Sequence, residues 1–249
     1  MGFNHAESPL QDVKASVFIV DGDPAVRDTL AVLLSGEGWH AESFGSAEEF
    51  LRRPLELIPS CLMLNVYLPG ASGLELQRFI TTERPDIPVI FLTPTSDIAT
   101  TVQAMKAGAT DFFIYPFCNE ELVKAVRESL ERSRLAVAQE EENRTLRERY
   151  ATLSTRELEV MALISLGLLN KQVGTELGIS TITVKAHRGK LMRKMRAKSL
   201  ADLVKMAAKL TGDASYQMPT ILHEPDIGGI VGQELANHLR KRQADCVDA

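Results

Sequence analysis

Between residues 16 and 118, five short apolar runs alternate with stretches of helical periodicity, and this alternation restricts the fold more than any other feature of the chain. The runs are Ser16 to Asp21, Trp39 to Phe44, Cys61 to Val66, Pro88 to Thr93 and Asp111 to Tyr115. Strand-length runs separated by helices are the pattern of βαβ units, which build a parallel sheet covered on both faces. Helix starts are also legible. Asp23 is expected as an N-cap with Pro24 at the first helical position, and Ser46 with Glu49 reads as a capping box. Five units of this kind predict a flavodoxin-like, doubly wound α/β domain, whose ligands sit beyond the carboxyl ends of the strands. That places functional interest on Asp21 to Asp23, Asn65, Thr93 and Tyr115.

The charge is distributed unevenly. The chain of 249 residues has a net charge of -5, yet residues 1 to 118 carry 7 basic and 15 acidic side chains while residues 151 to 212 carry 11 basic and 4 acidic ones. A short segment with such an excess of positive charge is the footprint of a polyanion binder. Segments such as Ser16 to Val20 and Pro88 to Leu92 are far short of a bilayer span, so no membrane segment is expected. The opening residues lack the pattern of a secretory signal, and the protein is expected in the cytoplasm. Cys61, Cys118 and Cys246 have no metal-ligand spacing and are expected to be reduced.

The stretches VDGDPAVRDTL, NVYLPGASGLEL, FLTPTSD and TVQAMKAGATDFFIYPF resemble the receiver domain of two-component response regulators, over the whole of residues 16 to 118. The resemblance implies a self-phosphorylation site: an acidic pair that holds Mg²⁺, an aspartate nucleophile, a hydroxyl and a lysine. The matched positions here are Asp21 with Gly22, Asn65, Thr93 and Tyr115. An amide has no charge with which to attack phosphorus, a glycine supplies no hard oxygen ligand, and a phenol cannot make the ion pair of a lysine. Asp23 is better explained as the helix cap. Together the substitutions predict a degenerate pocket, with the Tyr115 ring filling space, and no cofactor.

From Asn119 to Arg149 the chain is charged and free of proline and glycine, which predicts one long linker helix or two in tandem over 119 to 150, including the last helix of the first domain. Its apolar residues Leu122, Val126, Leu130, Val137, Leu146 and Tyr150 suggest a short coiled coil between two chains, against the alternative of a solvated linker.

Residues 151 to 212 predict an all-α domain of four helices. Ser154 and Glu157 form a capping box, Gly167 ends the first helix, Asn170 opens the second, Gly178 makes the turn, and Ser180 and Ser199 cap the third and fourth. On the third, Val184, Leu191 and Met195 face inward, while Ile182, Lys185, Ala186, Gly189, Lys190 and Arg193 face out or flank that face. The outward face suits a major groove. This stretch is similar to the LuxR and FixJ type of helix-turn-helix. The similarity implies double-stranded DNA as partner, Lys185 and Ala186 toward base edges, and Lys171, His187, Arg188 and Lys194 at phosphates. His187 is equally readable as a packed core residue, and no zinc set is present around it.

A single recognition helix covers few base pairs, so a homodimer is expected on an inverted repeat. The receiver is expected to serve dimerisation or docking of a sensor or other regulatory protein; the alternative is a pocket that responds to phosphate by an unorthodox route or to a small molecule. Residues 213 to 249 open on a stretch rich in turn formers and are expected to form a flexible tail, in which Ile230, Val231, Leu235 and Leu239 are the candidates for docking.

Overall fold

The computed structural model describes residues 15 to 211, apart from 55, 71, 96 and 97, and for 211 the backbone alone. The N-terminal segment up to residue 14 and the tail expected over 213 to 249 lie outside the described residues. The chain divides into two compact units, with the division between Glu142 and Asn143.

In the first unit, β1 (Ser16–Val20), β2 (His40–Phe44), β3 (Ser60–Asn65), β4 (Val89–Thr93) and β5 (Asp111–Ile114) form a parallel sheet of order β2-β1-β3-β4-β5. This is the flavodoxin-like order, in which the chain's progress across the sheet reverses between β1 and β3, the point at which folds of this kind bind ligands beyond the carboxyl ends of the strands. The strands alternate their side chains between two cores. Phe18, Val20, Leu62, Leu64 and Phe91 pack on one face with Phe44, Phe50, Leu76 and Ile80. Val17, Ile19, Met63, Ile90 and Leu92 pack on the other with Leu30, Leu34, Leu122, Val126 and Leu130. Between the strands run α1 (Pro24–Gly36), α2 (Ala47–Arg52), α3 (Gly73–Glu83) and α4 (Ile98–Lys106). Asp23 caps α1 through the amide of Ala25, with Pro24 in the first turn. Ser46 caps α2, but Glu49 accepts from the amide of Gly45 rather than of Ser46, so the expected box is displaced by one residue.

Helix α5 (Asn119–Ala151) is continuous over 33 residues. Most of the apolar stripe expected to form a coiled coil is used within the chain. Leu122, Val126 and Leu130 are sealed in the core of the first unit, and Leu146 and Tyr150 belong to that of the second. Residues already buried in their own domain are not available to a second helix, whereas Val137 belongs to neither core and Leu135 is exposed.

The second unit combines the end of α5 with α6 (Thr155–Ser165), α7 (Asn170–Leu177), α8 (Thr181–Met195) and α9 (Leu200–Thr211). Ser154 and Glu157 form a reciprocal capping box on α6, Ser180 caps α8 through the amide of Thr183, and Ser199 accepts from that of Asp202. Gly178 sits at φ 64° in the turn between α7 and α8, a left-handed conformation suited to glycine. Val160, Met161, Val173, Val184, Leu191, Met195 and Leu203 close the core. No helix among the described residues is long and apolar enough to cross a membrane.

Candidate functional site

The strand ends bring Asn65 onto Asp21, with Tyr115 near enough to feel the Asp21 charge. Asp21 is only 2% exposed, and both of its carboxylate oxygens are engaged. Oδ1 accepts from the amide of Asp23 at 2.8 Å, and Oδ2 accepts from the side-chain Nδ2 of Asn65 at 2.8 Å. The amide of Tyr67 donates to Asn65 Oδ1 at 2.9 Å, which fixes the orientation of the Asn65 amide with its NH₂ toward the carboxylate. Arg27 Nη1 donates to the Asp21 carbonyl at 2.7 Å and ties β1 to α1. A carboxylate at 65 would meet Asp21 with like charge, whereas the amide joins the two strand ends by a hydrogen bond.

The remaining members fit the same account. A Cβ at Gly22 would lie 3.1 Å from Pro69 Cδ, so Pro69 crowds the direction in which a side chain at 22 would leave. Asp23 is engaged as the cap of α1. Thr93 is buried, and its hydroxyl accepts weakly from the amide of Thr95 at 3.4 Å. The Tyr115 ring stacks at 4.7 Å from that of Phe117, and its buried hydroxyl has no hydrogen-bond partner. Burial first, then the charges of Asp21 and Asp23, push this phenol up to about 12. Mg²⁺ wants several oxygen ligands in octahedral array. This set, with one carboxylate engaged at both oxygens, an inward-turned amide donor and no side chain at 22, does not fit it.

Gly73 was not legible as part of this site. It opens α3 directly against β3, and a Cβ there would run into the Asn65 carbonyl oxygen. The glycine thus sets how closely α3 approaches the residue that carries the amide.

In the second unit, Val184, Leu191 and Met195 of α8 are fully buried, while Ile182, Lys185, Ala186, Gly189, Lys190 and Arg193 are exposed. The helix carries five Lys and Arg residues and no carboxylate. Lys171 is exposed in the first turn of α7, and His187 is half-buried. Arg188, also half-buried, donates from Nη1 to Asn170 Oδ1 at 3.2 Å, which links α8 to the start of α7.

Lys194 requires a correction. Its ammonium donates to Glu157 Oε2 at 2.6 Å and to the Thr152 carbonyl at 2.8 Å, so it is committed to the interior of the domain rather than free for phosphate. Burial raises the pKa of Glu157, but hydrogen bonds from Lys194 and Ser154 and the Lys194 charge outweigh it, and the carboxyl is held below its ordinary value. The pair joins residues 37 apart, a separation with no local pattern to betray it; the signal was only that Lys194 adjoins the inward-facing Met195.

Residues 17–127 match the response regulator receiver domain family, and residues 151–207 match the family of bacterial regulatory proteins of the luxR type. The chain is 44% identical over 207 residues to nodulation protein W of Bradyrhizobium diazoefficiens, covering 83% of this chain and 91% of that protein. It is 40% identical over 191 residues to the transcriptional regulatory protein FixJ of Azorhizobium caulinodans, covering 77% and 90%. Among solved structures it superposes on response regulator StyR with a TM-score of 0.70 and 39% identity, over 79% of this chain and 99% of that one. A receiver fold followed by a LuxR-type helix-turn-helix defines a transcription regulator of the two-component class. The chain belongs to the FixJ-like response regulators.

Proposed function

We propose that this chain is a sequence-specific regulator that binds double-stranded DNA and whose receiver domain works without aspartyl phosphorylation, as a module for pairing or for docking a sensor or other regulatory protein. The observation that carries this reading is the Asn65 amide: it occupies the nucleophile position and spends its donor on Asp21. The reaction needs a carboxylate there. The role is binding rather than catalysis.

On the DNA side, α8 enters the major groove with Lys185 and Ala186 toward base edges. Lys171, His187, Arg188, Lys190 and Arg193 surround that face and contact the backbone. Arg188 keeps four further N–H donors after its bond to Asn170. Pairing of two chains is supported by an exposed apolar row on α4, Ile98, Val102 and Met105, beside the exposed Ile114 of β5. Water-facing aliphatic surface of this kind is stabilised when a second surface covers it.

The test is DNA binding by fluorescence anisotropy on a selected inverted repeat and on scrambled duplex. The affinity is expected to be the same before and after treatment with acetyl phosphate, with two chains per site by sedimentation. Lys185→Ala is expected to lose about 1 to 3 kcal/mol on the selected site and less on scrambled DNA. A large gain of affinity on acetyl phosphate treatment contradicts the phosphorylation-independent reading; equal losses on both duplexes contradict Lys185 as a base reader.

A further inference from the structure

Ile182 has no role within the fold. At 81% exposure it is the most exposed large apolar side chain among the described residues. Its β-branched side chain gives the helix nothing that a Lys or Glu would not give better. Four residues on lies the exposed Ala186, and three beyond that the exposed Gly189, so the three share one strip of α8 opposite the buried Val184, Leu191 and Met195. Gly189 is equally unexplained from inside. A Cβ there would meet nothing within 4 Å, so the domain itself gives no reason to forgo the better helix former alanine. Along the strip the side chains shrink from isoleucine to alanine to hydrogen, as they would where a helix runs progressively closer to another surface.

What that surface is follows from charge. The strip is flanked by Lys185, Lys190 and Arg193, and α8 holds no acidic residue, so a surface closing on it must be anionic. An anionic surface that also offers an apolar group to an exposed isoleucine is a major groove containing thymine, whose 5-methyl projects there. We infer that Ile182 and Ala186 read thymine 5-methyl groups, and that Gly189 is kept bare so that α8 can seat closely in the groove. The inference rests on the reading of α8 as the groove element and adds the base class that it selects.

The experiment uses the full chain and a duplex selected from a randomised pool. Each thymine is replaced in turn by deoxyuridine, which removes the methyl and leaves pairing intact. Wild-type protein is expected to lose about fourfold in affinity at one or two positions, the fold-change equivalent to ~0.8 kcal/mol for one buried methyl. Ile182→Ala is expected to bind the thymine duplex more weakly and to lose nothing further on uracil at one of those positions. Gly189→Ala is expected to unfold at the same temperature as wild type or higher, yet to bind the selected duplex at least tenfold more weakly. Selective binding that is indifferent to uracil at every thymine, or an Ile182→Ala variant that keeps the full uracil penalty, overturns the inference alone. A Gly189→Ala variant that binds as wild type overturns the close-seating part. Absence of any sequence-selective binding overturns the proposed function, and this inference with it.

Discussion

Replacing Asn65 by aspartate turns the contact between β1 and β3 from attraction to repulsion. In the native chain the Asn65 amide donates to the Asp21 carboxylate at 2.8 Å. In Asn65→Asp, two carboxylates face each other with charge centres about 4 Å apart, which costs roughly 4 kcal/mol at an effective dielectric constant of about 20. The hydrogen bond to a charged group, worth ~1.5 to 3 kcal/mol, is lost as well. Part of this is recovered by side-chain rotation, because Asn65 is half-buried and lies at the strand end. A net loss of about 3 to 5 kcal/mol is expected near pH 8, a large fraction of the ~5 to 15 kcal/mol that holds a domain folded. The only tryptophan, Trp39, packs against the receiver core and reports its unfolding by fluorescence. With a urea slope of roughly 1.5 kcal/mol per molar, the midpoint should fall by about 2 to 3 M. An Asn65→Asp chain as stable as wild type at pH 8 would refute the claim that the amide organises the strand ends.

Further expectations concern both domains. Lys194→Met leaves Glu157, which is 3% exposed, without its charge partner and should cost about 3 kcal/mol, the low end for a broken buried pair because the Lys194 side chain is itself over a third exposed; calorimetry of the full chain checks it. Because the Glu157 pKa is depressed in the fold, its contribution is present above the ordinary value of 4.5 and is lost as the pH falls below it, a loss that Glu157→Gln should not show. Tyr115→Phe removes a buried hydroxyl with no partner and should leave receiver stability unchanged or raise it by up to ~1 kcal/mol in urea titrations; a loss above that would reveal a bond the hydroxyl makes. Arg196, at φ 55° after α8, should be replaceable by glycine with a gain of about 1 kcal/mol in thermal unfolding, since glycine relieves the left-handed strain.

Much of this architecture was readable because it follows local rules. The five strands fall within a residue or so of the expected runs; β1, β3 and β4 are buried on both faces and apolar almost throughout, while the edge strands β2 and β5 are only partly buried. Caps at Asp23, Ser154 and Ser180 were legible because a cap is satisfied within three residues. Burial of Val184, Leu191 and Met195 followed from helical period. What escaped were relations between distant segments. Pro69 against Gly22, and Gly73 under the Asn65 carbonyl, arise from how loops and helices close on the sheet. Lys194 on α8 looks like any basic residue until the fold brings Glu157 beside it. The apolar stripe of α5 was visible, but period alone does not tell a seam between chains from two cores within one.

The most direct test of the central claim is intact-mass measurement of the full chain after incubation with acetyl phosphate and Mg²⁺, with a FixJ-like receiver that has an aspartate at the matched position as a positive control. Asn65 bound to Asp21 predicts that the control gains the mass of one phosphoryl group while this chain remains at its unmodified mass. A stoichiometric, acid-labile phosphoryl adduct located within the receiver domain would contradict the account.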